Sequence, residues 1–161
     1  FRPGPVGVVS RSGGMGAEIS LALTRAGIGQ STYVAIGGDL LIGAAFVDIL
    51  KLFEKDPETK CVVMFGEPGT AREEQAAEFI ASGGFTKPVV AMIPGELLEN
   101  SETPATQSHT GALIERGVGA PSVKKRLLRE AGARVAERFS EIVPFVREAL
   151  GRDTLDEAGG A

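Results

Sequence analysis

Short apolar runs alternate along the chain with longer stretches whose apolar residues recur at helical spacing. The runs at residues 6–10, 32–36, 61–65 and 88–93, with a weaker one at 133–136, predict strands. Between them the pattern predicts helices over 15–26, 42–55, roughly 70–82, 123–131 and 139–150. Gly27 is placed to end the first helix, and Asp56-Pro57 stops the second, whose Phe46, Ile49, Leu50 and Phe53 fall on one face. In the third helix Ala76, Ala77, Phe79 and Ile80 form the inner side. The polar stretch 94–108 is longer than ordinary connections between such elements, and loops of that length usually serve a function. Residues 151–161 read as a flexible, frayed tail.

Strand, helix, strand, helix is the order that a parallel sheet covered by helices produces. Five such strands predict one flavodoxin-like, doubly wound α/β domain over residues 1–150, with helices on both faces of a parallel sheet. Sheets of this kind gather ligands at the carboxyl ends of their strands. The strand-end turns at Ser10, Gly37 and Gly66, with the long polar loop, should crowd that edge.

Composition narrows the partners. The 161 residues are 43% hydrophobic and 24% charged, an ordinary globular balance, and a chain of this length buries roughly 70% of its unfolded surface. A net charge of -4 and a pI near 5.1 favour neither nucleic acid nor an anionic membrane surface. No apolar stretch approaches the roughly 20 residues that span a bilayer. The lone Cys61 lies in an apolar run, as a buried structural thiol would, so a reducing compartment is expected, cytoplasmic or the mitochondrial matrix. The chain opens on Phe1-Arg2-Pro3-Gly4, without an initiator Met, as a piece of a longer protein would.

Three segments carry candidate chemistry. Ser10-Arg11-Ser12-Gly13-Gly14 joins a strand to a helix, which aims unsatisfied N–H groups and the positive end of the helix dipole at whatever lies above it. An anion fits there; an ordinary glycine turn capped by serine is the alternative reading. Gly13-Gly14-Met15-Gly16 lacks the G-x-G-x-x-G spacing of a dinucleotide fingerprint. His109, the only histidine, lies in Ser108-His109-Thr110-Gly111-Ala112 at the far end of the polar loop. Imidazole can be nucleophile, leaving group and proton carrier near pH 7, and small neighbours admit a phosphoryl group; a solvated surface histidine is the alternative. Glu67 follows the third strand, where a carboxylate could accept the Nδ1 proton of an imidazole and leave Nε2 to attack phosphorus. Its alternative role is an acid favoured by a helix N-terminus. No metal site is assigned.

Val6-Gly7-Val8-Val9-Ser10-Arg11-Ser12-Gly13, Gly29-Gln30-Ser31-Thr32, Ile36-Gly37-Gly38-Asp39, Phe53-Glu54-Lys55-Asp56-Pro57 and Gly66-Glu67, in this order, resemble the ligase domain of succinyl-CoA synthetase alpha subunits over most of residues 3–150. The wording Ser108-His109-Thr110-Gly111-Ala112-Leu113 is closer to the related NDP-forming acyl-CoA synthetases. The resemblance implies that His109 is transiently phosphorylated, that Glu67 supports it, and that Ser10, Arg11, Ser12 and Gly13 receive the phosphohistidine. The implied reaction joins a small carboxylic acid to CoA at the expense of a nucleoside triphosphate with Mg, reversibly. Acyl phosphate and phosphohistidine are its intermediates, and the phosphohistidine swings to a nucleotide-bearing ATP-grasp partner. CoA and nucleotide are then substrates of a fuller assembly, bound tightly by none of this domain alone.

Four departures qualify the resemblance. Ala17 precedes Glu18 where the family carries a substrate-contacting tyrosine in Ser-Gly-Thr-Leu-Thr-Tyr-Glu, so the acid is open. Gly66-Glu67-Pro68-Gly69 replaces Gly-Glu-Ile-Gly-Gly. Glu96, Glu99 and Glu102 stand where the family has basic residues and are expected to repel phosphate. Neither the amino-terminal CoA-binding Rossmann domain nor the ATP-grasp domain is expected within this chain. Ala17 and the acidic loop suit a rival reading, a non-catalytic or regulatory interaction module that retains the fold.

Overall fold

The computed structural model describes residues 1–96, 99 and 119–151. Strands β1 (Pro3–Ser10), β2 (Gln30–Ala35), β3 (Cys61–Phe65), β4 (Val89–Met92) and β5 (Arg134–Ala136) form one sheet in the order β2-β1-β3-β4-β5. Every pairing is parallel. Helices α1 (Gly13–Arg25), α2 (Phe46–Lys55), α3 (Arg72–Ala81) and α4 (Pro121–Glu130) supply the four crossovers, and α5 (Ile142–Ala149) follows β5. This is the strand order of a flavodoxin-like doubly wound domain, whose switch point lies between β1 and β3.

Side chains alternate across the sheet, and each parity feeds its own core. Val6, Val8, Cys61, Val63, Phe65 and Val90 meet Ile19 and Leu23 of α1 and Ile142 and Val146 of α5. Val9, Val62, Met64, Val89 and Ala91 meet Phe46, Leu50 and Phe53 of α2, Ala76 and Ala77 of α3 and Leu128 of α4. β3, covered on both faces, is buried along its whole length and therefore reads as an unbroken apolar run rather than an alternating one.

Element boundaries depart from the sequence pattern where backbone chemistry outweighs periodicity. β1 begins at Pro3 rather than Val6, with a register shift against β2 before Gly7. Pro5 brings no N–H to the ladder, but its carbonyl accepts from Lys60 N at 2.8 Å. α2 begins at Phe46 rather than residue 42, because Asp48 Oδ2 accepts the Ala45 N–H at 2.9 Å and fixes the helix start there. α4 starts two residues early, with Pro121 in its first turn, where a missing donor costs nothing. α5 is preceded by a short 3-10 turn, Phe139–Glu141, held by Glu141 Oε2, which accepts from Glu137 N at 2.8 Å and Arg138 N at 3.2 Å. Most of the long polar stretch, His109 beyond it and residues 152–161 lie outside the described residues. No described helix is long and apolar enough to cross a membrane.

Cys61 is fully buried, and burial pushes its thiol up to about 12. The native protein should therefore leave Cys61 unreactive toward an aromatic disulfide at pH 8, and one thiol per chain should titrate after denaturation. Fast labelling of the native protein would contradict this packing.

Candidate functional site at the carboxyl edge of the sheet

The site begins with strand register. Ser10 at the end of β1 is paired with Phe65 at the end of β3, and Arg11 N donates to Phe65 O at 3.0 Å. The two turns that follow, Ser10 to Gly13 and Gly66 to Thr70, therefore leave the sheet side by side at its switch point. The Ser10 hydroxyl folds back on its own turn, donating to Ser12 O at 2.5 Å and accepting from Ser12 N at 3.1 Å. Ser12 is the N-cap of α1, with Oγ accepting from Met15 N at 3.3 Å. Gly13 and Gly14 are exposed, and their N–H groups belong to the first turn, which has no intrahelical acceptor for them. A helix start of this kind contributes about 0.3–1 kcal/mol to an exposed anion and up to about 2 kcal/mol to a partly buried one.

Tyr33 of β2 steadies this helix start. Its hydroxyl donates to Gly13 O at 2.6 Å. A Cβ on Gly16 would come within 2.4 Å of the Tyr33 ring, so the glycine at that position admits the tyrosine. Gly16 thus has a structural reason independent of any dinucleotide.

Arg11 was expected to meet phosphate, and its side chain is instead wholly buried beneath the turn after β3. Nη1 donates to the carbonyls of Glu67 at 3.1 Å, Pro68 at 3.3 Å and Gly69 at 3.0 Å, and to Glu73 Oε1 at 3.2 Å. Nη2 donates to Gly38 O at 3.3 Å, which brings in the turn after β2. The expectation that the turns at Ser10, Gly37 and Gly66 crowd one edge is met through this single guanidinium. Lys124 of α4 arrives from the other side, fully buried, and donates to Glu67 O at 3.0 Å and Gly69 O at 2.7 Å. It also pairs with Glu73 Oε2. Glu73 Oε1 accepts the Glu67 N–H at 3.0 Å.

Glu67 thus projects from a turn in which the carbonyls of residues 67, 68 and 69 and the N–H of Glu67 are engaged. Its side chain is 11% exposed at the edge, with Oε2 3.9 Å from Arg11 Nε. The turn closes through Thr70, a β-branched residue at φ 52°, in the left-handed region. Such a conformation costs on the order of 1–3 kcal/mol and persists only where its surroundings impose it. Thr70 falls where the resembled Gly-Glu-Ile-Gly-Gly pattern has its last glycine. Next to it, burial, aided by the charge of Arg11, lowers the pKa of Arg72, whose Nη2 donates to Leu40 O at 2.7 Å. Burial raises the pKa of Glu74, against the pull of Lys124 at 3.7 Å.

Glu96 and Glu99, expected to repel phosphate, are engaged elsewhere. Glu96 Oε1 lies 2.9 Å from Lys125 Nζ, and Glu99 Oε1 accepts from Ser122 N at 2.5 Å in the first turn of α4. Burial acts to lower the Lys125 pKa, and hydrogen bonds to Glu137 and Glu96 outweigh it and raise the value. Glu102 and His109 lie outside the described residues. Both stems of the segment that contains them are at this edge: Gly66 N donates to Met92 O at 3.0 Å, and Gly69 N to Gly119 O at 2.8 Å. Among the described residues no group of three or more metal-ligating side chains gathers.

Glu73 and Lys124 were missed by the sequence reading, because charged residues in amphipathic helices ordinarily face water. The available signal was spacing: Lys124 stands four residues before the buried Leu128, on the inner stripe of α4.

Fold and site together define a doubly wound α/β domain with an exposed helix start and a braced carboxylate at its switch point. The chain matches the model of the succinyl-CoA ligase like flavodoxin domain over residues 3–148 and belongs to that family. It is 49% identical over 150 residues to the alpha 1 subunit of the ADP-forming succinate–CoA ligase of Archaeoglobus fulgidus, covering 93% of this chain and 50% of that subunit. A subunit of an ADP-forming sulfoacetate-CoA ligase from an Acholeplasma species is 39% identical over 148 residues, 92% of this chain and 49% of that one. The chain thus spans about half the length of these relatives. ATP citrate lyase of Methanosaeta concilii, solved with (3S)-citryl-CoA, superposes with a TM-score of 0.88 at 31% identity, over 94% of this chain and 24% of that one.

Replacing Glu73 with alanine removes the anion that lies between two buried cations. The variant should lose about 3–5 kcal/mol of unfolding free energy, read as a lower denaturant midpoint. A loss below about 1 kcal/mol would contradict the bracing described above.

Proposed function

We propose that this domain carries the phosphohistidine of an NDP-forming acyl-CoA synthetase, with His109 as carrier and Glu67 as its supporting carboxylate. The observation that carries this reading is the juxtaposition, at one switch point, of the open Ser12-Gly13 helix start and the braced Glu67 turn, with both stems of the His109 segment alongside. In the synthetic direction the Nε2 of His109 attacks the γ-phosphorus of a nucleoside triphosphate and releases the diphosphate. A carboxylate oxygen of the acid then attacks that phosphorus, giving an acyl phosphate and restoring the imidazole. The thiol of CoA, losing its proton, attacks the acyl carbon and expels phosphate.

In this scheme Glu67 accepts the Nδ1 proton and so selects the tautomer with a nucleophilic Nε2. The Ser12 hydroxyl and the N–H groups of Gly13 and Gly14 receive the phosphoryl oxygens, while Ser10 and Arg11 shape the turn that presents them. Since proximity and charge stabilisation account for most of phosphoryl transfer, a domain built to hold these groups suits the task. Nucleotide with Mg would come from an ATP-grasp partner and CoA from a Rossmann-type domain, in keeping with a chain that spans half of its relatives. The acid belongs to the small carboxylic acids; the relatives' names include succinate and sulfoacetate. The engagement of Glu96 and Glu99 by α4 weakens the rival reading of a non-catalytic module.

In the reconstituted assembly, γ-labelled triphosphate should leave acid-labile, base-stable label on the wild type and none on His109→Ala. Glu67→Gln should slow labelling by about 100-fold. An assembled complex whose wild type takes no such label would leave the interaction-module reading in its place.

A further inference from the structure

We propose that Lys124 is a positioning residue for the phosphoryl-relay site, holding the Glu67 turn in register with the segment that carries His109. This inference rests on the phosphohistidine reading above and adds to it a residue that touches neither substrate nor phosphate. Lys124 is in the first turn of α4, where the positive end of the helix dipole disfavours a cation, and that helix has no acid in its own first turn. It is also fully buried, which disfavours the charge again. A lysine kept where both its helix and its burial oppose it requires compensation, and the compensation has a definite address. The ammonium reaches Glu67 O at 3.0 Å, Gly69 O at 2.7 Å and the carboxylate of Glu73. Glu73 in turn accepts the backbone N–H of Glu67 and the Arg11 guanidinium.

The same helix follows directly on the segment that contains His109. Immediately before α4, Gly119 O accepts from Gly69 N at 2.8 Å. Gly119 has φ +78°, and a Cβ there would come within 2.6 Å of the Gly69 backbone, so the two turns meet at backbone contact. Gly119 and Lys124 are thus two attachments of one stem to the turn that presents Glu67. The first fixes its approach and the second locks it by charge. Loosening the second leaves Glu67 present and displaced, which impairs the tautomer selection at His109 without touching nucleotide binding.

The test uses the assembled enzyme and γ-labelled triphosphate. Lys124→Met strands Glu73 beside a lost partner and could unfold the domain, so the decisive variant is Glu73→Gln with Lys124→Met. That pair removes both charges and keeps the Oε1 acceptor for Arg11 and Glu67 N. Its remaining buried cation, Arg11, keeps the carbonyls of Glu67, Pro68 and Gly69 and lies 3.9 Å from the Glu67 carboxylate, so the variant should fold with a lower melting temperature than the wild type. It should phosphorylate His109 about 100-fold more slowly at saturating nucleotide, with the KM for nucleotide unchanged. Lys124→Arg should restore the rate to within about 10-fold of wild type, since a cation again reaches the same carbonyls. Wild-type labelling rates in the double variant would overturn the proposal, as would a loss confined to KM. A double variant that does not fold also overturns it, because Lys124 would then serve the fold rather than the site. A wild type that takes no label defeats the phosphohistidine reading itself, whereas a labelled wild type with an undisturbed variant defeats the role of Lys124 alone.

Discussion

The buried carboxylate of Glu73 sets the terms for the rest of the carboxyl edge. It accepts from Arg11 on one side and Lys124 on the other, and with its remaining capacity holds the N–H of Glu67. Three charged side chains with no exposure would each be prohibitive alone. Together they draw the turns after β1, β2 and β3 and the start of α4 onto one point, since the two cations are also shared among the carbonyls of residues 38, 67, 68 and 69. A buried ion cluster contributes little net stability against an apolar alternative, but it tolerates one geometry. Here that geometry holds the Glu67 turn beside the turn that starts α1.

The doubly wound fold makes this economical. At the switch point the crossovers from β1 and β3 depart to opposite faces, α1 with α5 on one and α2, α3 and α4 on the other. In folds of this class it is above such a switch point, outside both cores, that ligands are received. The site therefore needs only the turns, and the apolar packing below it can remain that of an ordinary parallel sheet.

Much of this was legible in the sequence. The strand cores, the inner faces of α2 and α3, the buried Cys61 and the flavodoxin-like class follow from apolar periodicity, which is strong because parallel strands are covered twice. The starts of β1 and α2 were not legible, since a proline carbonyl that still accepts and an aspartate that caps a helix are set by local hydrogen bonds rather than by period. The positions of Ser12, Gly13 and Glu67 at strand-end turns could be read from the alternation of strands and helices. The burial of Arg11 and the roles of Glu73 and Lys124 could not, because pairing between residues 11, 73 and 124 is a tertiary fact that no local spacing encodes. Thr70 at a positive φ was less legible still, since its only signal is that it stands where the resembled pattern has a glycine.

In the proposed function, the braced Glu67 chooses which nitrogen of the imidazole reacts. The chain contains a single histidine, so a sample with 15N-labelled histidine gives one imidazole to follow. After phosphorylation in the assembled enzyme, nitrogen NMR should find phosphorus on Nε2 and a proton on Nδ1. Phosphorus on Nδ1 would contradict the claim, because no carboxylate could then be holding that nitrogen.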